Sequence, residues 1–319
     1  MPVLSWKTLQ DKIPLIKNEL EKELAGQQQA INKIILQLRN HCTYLQMCEK
    51  LNVKPHRSLV LHFYGAPGVG KSSAMSIISR CLGIGLLSFG MPDAVADNGK
   101  NATTVRARLM DPDMLDNRVT KAYFKTELKK AIETKGTMII VFDEIEKMRK
   151  LDARLSNSDY RNSEGYINPS SLDETMRDVK DHGKFAGYDV SDKIFITISN
   201  ETENEINELE PSFKDRLVGN LVYFKQFDVP DYIELIKKSS KMLIESYQQD
   251  GISLGWTENC LEHYANEFYK NKYSGRRVVE FIDTVSGIVR DNENLMGDSF
   301  NWSIDFDANT NEVKLVPAN

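Results

Sequence analysis

An apolar run that breaks into glycines, closes on Gly-Lys-Ser and then re-enters a helical pattern can fold in very few ways. "HFYGAPGVGKSSAM" at residues 62–75 is such a stretch. It contains "GAPGVGKS", the spacing G-x-x-x-x-G-K-[S/T], placed directly after a strand-like segment and before a helix-like one, which is the context this loop requires. Glycines let backbone N–H groups point inward around phosphate oxygens, aided by the positive end of the following helix. The candidate cradle is therefore Gly65, Ala66, Pro67, Gly68, Val69, Gly70, Lys71, Ser72 and Ser73. Lys71 supplies a point charge to the β- and γ-phosphates of a nucleotide, and the Ser72 hydroxyl suits Mg²⁺.

A phosphate cradle needs a metal-holding carboxylate on a neighbouring strand before hydrolysis can be considered. "MIIVFDEIEK" offers one: five apolar residues end in Asp143 and Glu144, at the carboxyl edge of a sheet where open α/β folds bind ligands. Asp143 is expected to hold Mg²⁺ through water. Glu144, pointing the other way along the strand, is expected to polarise the attacking water as general base. An acidic pair after a strand also serves as a plain solvated helix start, and only its company with the loop at 65–72 favours the first reading.

The surrounding pattern alternates α and β. Amphipathic helices are expected over 6–24 and 27–51, then strands at 59–64, 85–90, 138–142, 193–199 and 221–224, separated by helices at 71–82, 119–134 and 171–179. That order means a doubly wound parallel sheet with helices on both faces. After "FDVPDY" the periodicity turns helical over 230–249, 257–270 and 275–290, and "WSIDF" and "EVKLV" around "DANTN" read as a closing hairpin. The expected domains are thus 1–229, α/β, and 230–319, mostly helical. No internal repeat is seen, and the polar, turn-rich stretch 149–171 reads as an inserted loop.

Bulk properties narrow the function. With 41 basic and 46 acidic residues and a net charge of −5, without long single-sign blocks, the chain offers little to nucleic acid or an anionic membrane. Four cysteines without zinc-like pairing read as reduced thiols, and no apolar run is long enough for a membrane span. With no targeting signal in view, a cytoplasmic location is expected.

Taken in order, these parts resemble the AAA+ ATPases, a branch of the P-loop NTPases, and within them the Clp-type unfoldases and disaggregases, with the torsins as near relatives; the resemblance covers about residues 15–317. "LAGQQQAINKI" is similar to the segment that packs against adenine, placing Gly26 and Gln27 there. "FDEIEK" is close to the Clp form of its motif. "KIFITISN" resembles the strand ending in sensor 1, at Asn200. "EPSFKDRL" resembles the segment carrying the arginine finger, at Arg216, and "YSGRRVVEFID" that of sensor 2, at Arg277. Read singly, Asn200 is a turn residue, and Arg216 and Arg277 are solvated or carboxylate-paired arginines. Their joint order along one chain is what carries the roles.

The resemblance implies a large α/β nucleotide-binding domain, a small helical lid ending in a hairpin, and an ATP hydrolase using ATP and Mg²⁺. It also implies a homo-oligomeric ring, a hexamer in the family, that remodels or unfolds protein clients. One P-loop limits it to a single ring. An ATP-gated switch or scaffold is the alternative, and a loader acting on DNA a third reading that the acidic balance disfavours. By order in the chain, "VRARLMDPDMLDNRV" at 105–119 occupies the place of the family's pore loop, but without its aromatic and glycine; Met110, Met114 and Leu115 are the apolar side chains left to grip a client.

Overall fold

A computed structural model of the chain describes residues 3–90, 122–155, 159–185, 187–217, 219–293, 301–307, 310 and 312–318. The stretch 105–119 and the first residues of the helix expected at 119–134 lie outside the described residues. The chain divides into two units, one gathering Met1–Leu20, Gln28–Ala66 and Lys71–Phe224, the other Glu21–Gln27, Pro67–Gly70 and Lys225–Asn319.

In chain order the elements that build the first unit begin with α1 (Trp6–Glu23), α2 (Gln28–Lys50), β1 (Leu59–Gly65), α3 (Lys71–Leu82) and β2 (Gly85–Gly90). They continue with α4 (Ala122–Glu133), β3 (Met138–Asp143), α5 (Ile145–Leu155), α6 (Ser171–His182), β4 (Lys184–Phe185), β5 (Tyr188–Asp189) and β6 (Ile194–Ser199). The short helices α7 (Glu203–Asn207) and α8 (Pro211–Leu217) lead into β7 (Leu221–Phe224). Five strands form one sheet in the order β2-β3-β6-β1-β7, every neighbouring pair parallel. Strands β1 and β6 are buried along their whole length, as the near-continuous apolar runs of a parallel sheet covered on both faces require. On one face Ile140, Phe142 and Phe195 pack with Leu128, Met148, Met176 and Val179 of α4, α5 and α6. This is the doubly wound α/β architecture expected.

The second unit holds α9 (Val229–Ser239), α10 (Lys241–Gln249), β8 (Ser253–Trp256), α11 (Glu258–Lys270), α12 (Gly275–Asp291), β9 (Asn301–Asp307) and β10 (Glu312–Pro317). Its core is aromatic: Tyr264, Phe268 and Phe281 meet with ring centroids 4.4–6.2 Å apart. The helical region and the closing hairpin β9–β10 are both present.

Three local expectations are corrected. The stretch 149–171 is not a loop throughout, because α5 runs to Leu155 and Ile167 bridges to both Arg161 and Leu209. The helix expected over 230–249 is two helices broken at Ser240, whose buried hydroxyl donates to the Ile236 carbonyl at 2.8 Å and accepts from the Trp256 indole at 2.9 Å. Such side-chain bonding to the preceding turn competes with the helix ladder. The hairpin also has a third strand, β8, parallel to β9, whose short glycine-containing "SLGW" gives little strand signal.

Candidate functional site

In the first unit, β1 ends at Gly65 with φ +138, and a Cβ built there would lie 2.1 Å from the Phe224 carbonyl oxygen. Only glycine lets the chain leave the strand at that point. The next helix begins at Lys71, which is only 5% exposed. Its ammonium donates to the carbonyls of Gly65 at 2.6 Å and Ala66 at 2.7 Å and to Oδ1 of Asn200 at 3.2 Å. Burial lowers its pKa to about 8, against the opposing pull of the Asp143 and Glu146 carboxylates. Ser72 and Ser73 lie exposed in the first turn of α3.

Asp143 is the last residue of β3, half-buried, and its Oδ1 accepts the Glu144 N–H at 2.9 Å. Glu144 is not where strand alternation puts it. The strand has ended, and Glu144 has φ +62 as the chain turns into α5. A non-glycine residue in that region costs about 1–3 kcal/mol, and such strain gathers at functional turns. The Glu144 carboxylate sits 2.7 Å from the Lys147 ammonium, and that hydrogen bond raises the lysine's pKa. Asn200 follows β6 directly, at the centre of the sheet's carboxyl edge, with its Nδ2 donating to Glu146 Oε1 at 3.4 Å. Arg216 lies on α8.

Lys71, Asn200 and the backbone of Gly65 and Ala66 are thus brought together, with the Asp143 charge near enough to act on the ammonium. Glu146 belongs to the same group and escaped the sequence reading. Burial raises its pKa, and its Oε2 is buried without a partner.

Below this group lies a second feature that was not foreseen. Arg149 of α5 is fully buried, donating from Nε and Nη2 to Asp173 at 2.7 and 2.9 Å and from Nη1 to Glu201. Burial pushes the Asp173 carboxyl up, but the guanidinium and the Ser170 hydrogen bonds outweigh it and hold the group below its ordinary value. Asp173 is also the N3 residue of the α6 capping box, accepting the Ser170 N–H and hydroxyl, both at 2.8 Å. The S-x-x-D spacing was a readable cap signal. Arg149 opens the stretch 149–171 that the sequence reads as an inserted loop.

In the second unit, Gly26 has φ +63, and a Cβ there would lie 2.0 Å from Asp231 Oδ1. The buried Gln27 amide pairs with both sides of the Lys225 backbone, each bond 3.0 Å, so it fastens this segment. Gly68 accepts the Gly275 N–H at 3.0 Å, and a Cβ on either glycine would collide with the other residue's surroundings, at 2.4 Å from Ser274 Cβ or 2.6 Å from the Gly68 oxygen. Gly70 and Val69 complete this stretch, Val69 buried and Gly70 at φ +103. Arg277 is largely exposed, pairing with Glu280 at 2.8 Å and lying over the Tyr273 ring at 5.8 Å.

Residues 61–218 match the model of the ATPase family associated with various cellular activities, AAA. A stretch of 211 residues, 62% of this chain, is 26% identical to the Lon protease of Campylobacter jejuni. It spans 23% of that protein's length.

Proposed function

We propose, from the premise that residues 61–218 form an AAA-superfamily ATPase domain, that this chain is a Mg²⁺-dependent ATP hydrolase that assembles into a ring and remodels protein clients. The observation that carries the reading is Lys71: a nearly buried ammonium at the first residue of a helix, aimed at the carboxyl edge of a parallel sheet and meeting Asn200 there.

The residues fit the nucleotide and its metal. Gly65 sits where a side chain would meet the neighbouring strand, and the chain from Gly65 to Ser73 with Lys71 would hold the phosphates. Ser72 and Asp143 offer the hard oxygen ligands Mg²⁺ prefers. Among the described residues no three His, Cys, Asp or Glu side chains are grouped to hold a metal by themselves; a site of one hydroxyl and one carboxylate, completed by phosphate oxygens and water, needs no such group. Mg²⁺, when bound, neutralises charge on the phosphates.

In this mechanism Lys71 stabilises charge on the phosphoryl group, Glu144 takes the proton of the attacking water, and Asn200 orients the reacting groups. Gly26 and Gln27 shape the adenine side, Arg277 addresses the γ-phosphate from the small domain, and Arg216 acts on a neighbouring subunit's nucleotide. The domain limits 1–229 and 230–319, a hexameric homo-oligomer of the Clp type and a cytoplasmic place of work complete the proposal. Among the described residues no helix is long and apolar enough to cross a membrane.

The test is Lys71→Ala. Calorimetric titration with MgATP is expected to show no binding while circular dichroism and the unfolding transition show a folded chain. Unchanged affinity would remove the nucleotide from this site.

Remodelling is tested separately at Met114 and Leu115. Changing both to serine is expected to leave basal hydrolysis within about twofold while abolishing client-stimulated turnover and loss of a folded reporter's fluorescence. A double variant that processes clients normally would favour an ATP-gated switch or scaffold.

A further inference from the structure

Helix α5 grips one dipeptide at both of its residues. Glu146 and Arg149 lie one turn apart on that helix; Glu146 accepts from the Asn200 amide at 3.4 Å, and Arg149 bonds to the carboxylate of Glu201, the next residue in the chain. The other face of the guanidinium is fixed by two bonds to Asp173, which is itself fastened into the cap of α6. One end of this clamp is therefore anchored in a helix start. The other holds the loop that places the Asn200 oxygen 3.2 Å from the Lys71 ammonium.

Stability alone is a poor account of this arrangement. A buried ion triad gains little over well-packed apolar side chains of the same volume, because desolvation consumes the Coulombic attraction. Moreover, one carboxylate oxygen at each of the helix's contacts, Glu146 Oε2 and Glu201 Oε2, is buried without a hydrogen-bond partner. Each such unpaired oxygen is unfavourable, so the polar network is not explained by a gain in stability. What a forked guanidinium supplies is direction: it fixes two carboxylates in orientation as well as distance.

We infer that Arg149 is a positioning residue for ATP hydrolysis, acting through Glu201 to set where Asn200 presents its amide beside Lys71. This rests on the reading of the site as an ATPase.

Two isosteric substitutions on the same guanidinium separate positioning from support. Glu201→Gln and Asp173→Asn each remove one charge from one buried triad, and both are expected to lower the denaturant midpoint. Only Glu201→Gln is expected to reduce kcat, by about 10- to 100-fold, with KM for ATP within about twofold of native, since displacement of a reacting group by up to about 1 Å carries such penalties. Asp173→Asn is expected to keep kcat within about twofold. The inference is overturned if Glu201→Gln turns over at the native rate, or if both variants lose kcat in step with stability. Should either carboxylate variant fail to fold, Arg149→Lys is read instead: it keeps the charge and loses the fork, and an unchanged kcat overturns the inference. A native chain that binds no MgATP overturns the functional reading, and this inference with it. Native turnover together with an unaffected Glu201→Gln overturns the inference alone.

Discussion

Arg216→Ala is expected to bind MgATP as the native chain does and to hydrolyse it roughly 10³- to 10⁵-fold more slowly, about 4–7 kcal/mol on the barrier. The size follows from what a guanidinium does in phosphoryl transfer: it neutralises charge that develops on the transferring group and is absent from the bound ground state, so kcat falls and KM does not. The helix that carries Arg216 is anchored for such a task. Glu210 caps its start, accepting the Ser212 N–H at 3.2 Å and the Phe213 N–H at 2.9 Å, while Phe213 is buried against Leu209 and Ile206. Mixing Arg216→Ala with Lys71→Ala distinguishes action between subunits from action within one. The mixture is expected to hydrolyse more ATP than the two proteins measured apart, because in mixed rings of the proposed kind an intact finger would face an intact cradle. No recovery at any ratio would place Arg216 within its own subunit or in a purely structural role.

Glu144→Gln is the second large effect. The amide cannot accept the water's proton, so turnover is expected to fall roughly 10²- to 10⁴-fold while MgATP still binds. That corresponds to about 3–5 kcal/mol. The substitution also replaces a carboxylate held 2.7 Å from Lys147 by a neutral group, yet the carboxylate and the ammonium are 33% and 51% exposed, and such pairs contribute on the order of 1 kcal/mol or less. Unfolding measurements should therefore barely change. A variant that turns over near the native rate would move the general base elsewhere, with Glu146 the nearest candidate beside Asn200.

How much of this was readable depended on how local the cause is. The turn from β1 into α3 is dictated by adjacent residues: glycines that allow positive φ, and a lysine one helical step beyond them. Its position could be read without any knowledge of the rest of the chain. Asn200 is less local, since its meaning comes from a sheet order that sets β6 between β1 and β3. Arg149 was not legible at all. Its partners lie 24 and 52 residues away, and nothing in "EKMRK" distinguishes a buried guanidinium from a solvated one. Glu144 misled for a different reason: alternation along a strand holds only while the strand continues, and β3 stops one residue earlier. The same limit hid β8, four residues long and held by its pairing with β9.

The bonds that tie Glu21–Gln27 into the second unit have a consequence for how the chain is made. Lys238 donates to the carbonyls of Glu21 and Leu24, Glu234 accepts the Gly26 N–H, and Gln27 pairs with Lys225, across sequence separations of 198 to 217 residues. At roughly 5–20 residues per second, a ribosome delivers those partners about 10–40 s after the segment that needs them. The second unit therefore completes itself around a stretch of chain that leaves the ribosome well ahead of its partners. Removing residues 21–27 should injure the second unit, where a protease would find its first cut.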